Sequence, residues 1–303
     1  MPHGHDHQHG PGHQHGRLHR HDHTEVDFAE MLPLLELEAE LFSPMYAEAA
    51  DWLRRTRPEP ELIVDAGSGP GVVSCLLAGA FPGARTVAVD GVRPLLDRAA
   101  ERAARLGLAD RFSTLEAELS DGLGDLSYPA DLLWASKSLH HVGDQRAALA
   151  GFARALAPGG TLALLEGGLP TRFLPRDIGF GRPGLQSRMD AVHEEWFARM
   201  RDGLPGAVTE TEDWPALLAS VGLRPTATRT FLLDLPAPLT PEARSFVVGS
   251  LTRRREGLAD GLDADDLATL DRLLDPDDKA SVHQRPDLFL LLANTVYVAV
   301  KDA

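Results

Sequence analysis

The segment "ELIVDAGSGPGVVSCLLAGAFPG", residues 61–83, constrains this chain more than any other. It opens as an apolar run of strand length and continues as an apolar helix, with Gly67, Gly69 and Gly71 between the two. Glycine tolerates positive φ and lets a ligand come close to the backbone, so a strand–turn–helix of this kind suits a nucleotide-like molecule. The same alternation recurs downstream. "TVAVDG" precedes a helix through "PLLDRAAERAARLG", "RFSTLEAEL" reads as a third strand, "ADLLWAS" as a fourth before the helix "DQRAALAGFARAL", and "PGGTLALLEGG" as a fifth. Apolar strands alternating with amphipathic helices predict an α/β fold, a doubly wound and mostly parallel sheet covered on both faces.

Around this unit the chain divides in three. Residues 1–23 hold nine of the 13 histidines among Gly, Gln, Asp and Pro, a composition that cannot bury a core and is expected to be disordered. His3, His5, His7, His9, His13 and His15 stand two residues apart within short runs, so neighbouring pairs can chelate nickel, zinc or copper. A floppy tail lacks the fixed geometry and supporting shell of a catalytic metal site, so this metal is not read as catalytic. Residues 24–60 form a helical cap broken at Pro33 and around "SPM" at 43–45, and end in the Pro-rich hinge "RPEP". Residues 61–303 are the main domain, with insertions at about 170–205 and 238–285 and a closing strand, "LFLLLANTVYVAVK".

Composition limits the function. The net charge of −15 lies entirely outside residues 1–23, where Arg17 and Arg20 offset Asp6 and Asp22, and such a surface repels phosphate backbones. A nucleic-acid partner is not expected. Neither a membrane span nor a secretory signal is expected, and a single cysteine, Cys75, on the apolar run "VVSCLLA", fits a reducing, cytoplasmic compartment and a buried role. Nothing in the sequence sets the oligomeric state.

Two ligands compete for the glycine turn. A dinucleotide fold wants G-x-G-x-x-G with a pyrophosphate at the helix N-terminus, which would make the chain a nucleotide-dependent oxidoreductase. Here the spacing is G-x-G-x-G, with Val72 where the third glycine would fall. Asp65 stands two residues before the turn, where a carboxylate repels a diphosphate and welcomes an ammonium group. Asp90, at the end of the second strand, can accept both hydroxyls of a ribose, a placement that both ligands share.

At this point the chain resembles the class I S-adenosylmethionine (SAM)-dependent methyltransferases. "VDAGSGPG" is similar to the first family motif, "VAVDG" to the acidic ribose motif, "EAEL" to the adenine-side motif, "DLLWASKSLHHVGD" to the fourth-strand motif, and "LAPGGTLALLE" to the turn and fifth strand. These run in family order over residues 61–166. The adenine-side motif carries Glu118 where the family commonly has Asp. The resemblance implies a Rossmann-like seven-stranded sheet of order 3-2-1-4-5-7-6 with an antiparallel last strand. It also implies SAM held by Asp65, Gly67, Ser68, Gly69, Gly71, Asp90, Gly91, Glu118, Leu119 and Ser136.

Methyl transfer from a sulfonium needs orientation above all, and needs a base only where the acceptor must lose a proton. Candidates follow the fourth strand in "SKSLHH": His141 and His140 as bases or as loop packing, and Lys137 as a binder of a substrate anion. Tyr46, Trp196 and Phe197 are candidate walls of an acceptor pocket, or core between lid helices. Arg172, Arg176, Arg182 and Arg188 can neutralise a carboxylate substrate. The expected function is methyl transfer to oxygen, nitrogen or carbon of a small molecule. The alternative is a non-catalytic SAM-responsive or metal-handling protein in which the histidine-rich tail is the working part.

Overall fold

The computed structural model describes residues 31–57, 59–121, 123 and 126–303. The tail at 1–23, with its six candidate metal ligands, and residues 24–30 of the cap lie outside the described residues. Seven strands form one sheet: β1 (Leu62–Ala66), β2 (Arg85–Asp90), β3 (Phe112–Glu116), β4 (Ala130–Ser136), β5 (Leu156–Arg172), β6 (Leu223–Leu235) and β7 (Leu290–Lys301). Their spatial order is β3-β2-β1-β4-β5-β7-β6, as the resemblance implied. The first five are parallel, and β7 runs antiparallel to both β5 and β6.

The helices are α1 (Leu32–Leu41), α2 (Ser43–Thr56), α3 (Val72–Ala80), α4 (Arg93–Arg105), α5 (Gln145–Ala155), α6 (Leu185–Asp202), α7 (Trp214–Ser220), α8 (Pro241–Gly257) and α9 (Ala264–Leu274). Pro33 and Pro44 sit in the first turns of α1 and α2, where no backbone donor is needed, so each proline starts a helix rather than breaking one.

Because side chains alternate across a strand, the central strands feed two cores. Ile63, Leu132, Trp134, Ala163 and Leu165 face α2 and α3, with Met45, Leu53, Leu77 and Phe81. Val64, Leu133, Ala135, Leu162 and Leu164 face α5 and α7, with Leu149, Phe152, Trp214 and Leu217. This places the carboxyl ends of β1, β2 and β4, where an open parallel sheet receives its ligand, beside α1, α2 and α6. No helix among the described residues is long and apolar enough to cross a membrane.

Candidate functional site

The turn after β1 is tied to the end of β2. The Gly67 and Ser68 amides both donate to the Val89 carbonyl, at 2.8 and 2.9 Å. Gly67 has φ +76, and a Cβ there would fall 2.5 Å from Ser138 Cβ, so a side chain would push β1 and the loop after β4 apart. Leu119 closes the same space. Gly71, also left-handed, starts α3, and above Gly69 the space is open. Asp90 accepts from Gly69 N at 2.9 Å through Oδ2 and from Val92 N at 3.0 Å through Oδ1, and burial pushes its pKa up. The Glu118 carboxylate lies over Gly91, where a Cβ would meet Oε1 at 2.5 Å. Thus Asp90, Gly91, Glu118 and Leu119 form one edge beside the glycine turn.

Asp65, expected to welcome a ligand's ammonium group, does not line the open face of the turn. It is 1% exposed, and its Oδ2 accepts from Ser74 Oγ of α3 at 2.5 Å. Burial, with Asp90 nearby, pushes its pKa up to about 7. Close to it lies a second polar group. Tyr46 is buried, which raises its phenol pKa, and it hydrogen-bonds with Ser136. Lys137, left-handed at φ 50, donates to Glu38 Oε1 of α1 at 2.9 Å and lies 4.7 Å from the centre of the Phe42 ring. Burial opposes its charge, but Glu38 and Tyr46 outweigh burial and hold the ammonium pKa above the ordinary lysine value. Lys137, expected to bind a substrate anion, is therefore already paired.

The candidate acceptor side is built on the turn Leu139–His141 and the helix α6. His193, Phe197 and Arg201 recur every four residues and share one face of α6. The Phe197 ring lies 5.7 Å from that of His140, and His193 stacks on Trp196 at 5.4 Å. Arg201 donates to the His140 carbonyl at 2.7 Å and to that of Val142 at 3.2 Å. His141 has an exposed edge, yet partial burial, His140 and Arg201 together push its pKa down to about 4. A base that weak gains little at neutral pH, which corrects the expectation for His141. His140 is better placed, with Nδ1 3.3 Å from Oε2 of the buried Glu166.

Three of the arginines expected to meet a carboxylate substrate are committed elsewhere. Arg172 pairs with Asp190, and Arg182 and Arg188 both pair with Asp266, which is 2% exposed. Arg176 is exposed. Sequence reasoning missed Glu38, Glu166 and Arg201; only the "EGG" ending of the fifth strand carried a signal, since a glycine pair in a strand marks a bulge.

The cofactor edge fits an adenosyl amino acid. It offers two carboxylates for hydroxyl and amine donors, open backbone at Gly69, and the Ser68 hydroxyl, buried without a partner. Among the described residues no group of three or more His, Cys, Asp or Glu could hold a metal. Cys75 is buried in α3 and its thiol pKa is pushed up to about 11, as an inert core residue requires.

Comparison with known proteins bears on the family and the fold. A family model described as a methyltransferase domain matches residues 64–162. A trans-aconitate 2-methyltransferase of Methylobacterium radiotolerans is 30% identical over 231 residues, covering 69% of this chain and 83% of that protein. One of Paracidovorax citrulli is 36% identical over 121 residues, so the chain matches only 44% of that relative's length. Among solved structures, a chain from the complex of the Haloferax volcanii Trm112 methyltransferase activator with a methyltransferase superposes with TM-score 0.52 at 16% identity, over 92% of this chain and 99% of that one. That likeness speaks of the fold alone.

Proposed function

The chain belongs to the class I SAM-dependent methyltransferases, and from that premise we propose that it transfers a methyl group to an oxygen atom of a small organic molecule. When bound, the cofactor supplies a methyl group already activated by a positive sulfur. The chain's own residues do the rest. Asp90 and Glu118 bind ribose and adenine from one edge, while the turn at Gly67–Gly71 leaves backbone open to the amino-acid end. Asp65, beneath that turn, favours a cation. Phe197, Trp196 and His193 hold a flat or apolar acceptor and keep water away. Orientation of this kind supplies roughly 7–11 kcal/mol in favourable cases, and a positioned base adds about 10²–10⁴-fold.

The contact between His140 and the buried Glu166 carries the oxygen reading, because an imidazole oriented by a carboxylate is the arrangement that takes a proton from a hydroxyl. A second reading, the carboxylate oxygen of an organic acid, is favoured by the relatives named trans-aconitate 2-methyltransferase. Arg201 supports it, as a guanidinium fixed by two backbone carbonyls beside the His140 turn. A carboxylate needs no base.

Incubating the protein with deuterium-labelled SAM and a panel of phenols, hydroxy acids and polycarboxylic acids, with mass spectrometry of the products, tests both. A labelled ether stable to alkali supports the first reading, and an alkali-labile ester the second. A label found only on nitrogen or carbon overturns the oxygen assignment. The charge of −15 supports a small acceptor over a nucleic acid, and the lone cysteine supports a cytoplasmic setting. We read the imidazoles of residues 1–23 as a metal-binding appendage to an enzyme, so deleting that segment leaves turnover intact; loss of turnover would favour the metal-handling alternative.

A further inference from the structure

Glu166 is a buried carboxylate on the acceptor side, and the backbone explains why it points there. β5 and β7 pair antiparallel up to Glu166, then shift register between Glu166 and Gly168. Gly168 has φ +117, and a Cβ there would fall 2.0 Å from the Ala293 carbonyl oxygen, so the strands close again after the extra residue only because that position is glycine. A bulge bends its strand and re-aims the side chain beside it. Here the re-aimed side chain is Glu166, 4% exposed and turned toward the loop after β4. Its Oε1 accepts from the Ser138 and Leu139 amides at 3.0 and 2.9 Å, and its Oε2 stands 3.3 Å from His140 Nδ1.

We propose that Glu166 is a positioning residue that holds His140 as the tautomer protonated on Nδ1, so that Nε2 carries the lone pair that takes the proton of a hydroxyl-bearing acceptor. A carboxylate has no proton to give, so the hydrogen between Oε2 and Nδ1 belongs to the imidazole. Nε2, on the far side of the ring, is then the basic nitrogen. In the step itself the acceptor's O–H bond breaks, its proton joins Nε2, and the electron pair stays on the oxygen. That oxygen bonds the methyl carbon as the carbon's bond to sulfur breaks and leaves its electrons on a sulfur now neutral. The imidazolium rests against Glu166 until solvent removes the proton. The charged and titratable groups around His140 are Glu166 from β5, His141 in the same turn at 4.1 Å between rings, Arg201 on its carbonyl from α6, His193 beyond Phe197, and Lys137, whose charge acts on Glu166.

The inference rests on the oxygen-acceptor reading, and its test separates the two. Glu166→Gln keeps an oxygen for the Ser138 and Leu139 amides, while its amino group donates to Nδ1 and drives the proton to Nε2. Nitrogen-15 NMR of the His140 imidazole is expected to show Nδ1–H in the native protein and Nε2–H in the variant. With thermal unfolding and SAM affinity unchanged, kcat is expected to fall about 10²–10³-fold at nearly constant KM, with an altered pH profile. Glu166→Asp is expected to recover about tenfold of that loss. Nε2–H in the native protein, or a Glu166→Gln turnover within threefold of native, overturns the proposal. The native tautomer is read without any variant, so a misfolded variant does not hide the answer. A product methylated only on carbon or nitrogen, with Nδ1–H in place, overturns the oxygen reading and leaves the positioning of His140 standing.

Discussion

A buried acid beside a cationic ligand titrates against it, and the proposed cofactor site puts Asp65 to that test. Burial lifts its pKa from the ordinary 3.8 to about 7. The folded state therefore holds an extra proton between those values. Asp65 adds stability in full below about pH 4 and loses it as the pH rises through about 7. A cationic cofactor favours the carboxylate and must expel that proton in more acidic solution. Calorimetry is expected to show SAM affinity rising by up to about tenfold per unit below about pH 7 and levelling above it. Asp65→Asn should flatten the dependence; a native profile without slope would separate Asp65 from the cofactor. The sequence showed this acid but not its orientation, since its turn into α3 depends on the Ser74 hydroxyl nine residues on.

At the scale of elements, α1 is held over the site by charge as well as by its leucines. It has no fully buried residue, although Leu34, Leu37 and Leu41 pack on the core. Glu36 receives Arg98 and Arg102 of α4 at 2.9 and 2.6 Å, Glu40 receives Arg102 at 2.5 Å, and Glu38 receives Lys137. Partly exposed pairs of this kind contribute about 1 kcal/mol or less each. Glu36→Gln should therefore speed hydrogen exchange of the α1 amides by about fivefold while β1 and β4 keep their protection. Equal rates in variant and native protein would show that the leucines alone seat the helix. The strands and the glycine turn were legible because period and punctuation are local. The seats of Glu166 and of the arginines were not. The first depends on a bulge against β7, more than 120 residues later, and Arg182 and Arg188 meet Asp266 across about 80 residues. A lone glutamate ending a strand and an arginine-rich insertion both read as solvent-facing until their distant partners are in place.

For the molecule as a whole, two cores on one sheet carry the site, so stability and binding can be perturbed separately. Phe152 is fully buried against β4 and β5, on the face of the sheet that α5 and α7 cover. Phe152→Ala should cost about 3–5 kcal/mol of unfolding free energy in denaturant titration, with SAM affinity of the folded fraction unchanged. A loss of affinity without a loss of stability would mean that the sheet transmits strain to the turn. The proposed cofactor site is the edge formed by Asp90 and the glycine turn. Calorimetry of SAM and its demethylated product on native protein and Asp90→Ala, with NADH as competitor, tests it most directly. The predicted result is binding of both at about micromolar Kd, at least tenfold weaker in the variant, with NADH displacing neither. Unchanged binding in Asp90→Ala, or displacement by NADH, would contradict it.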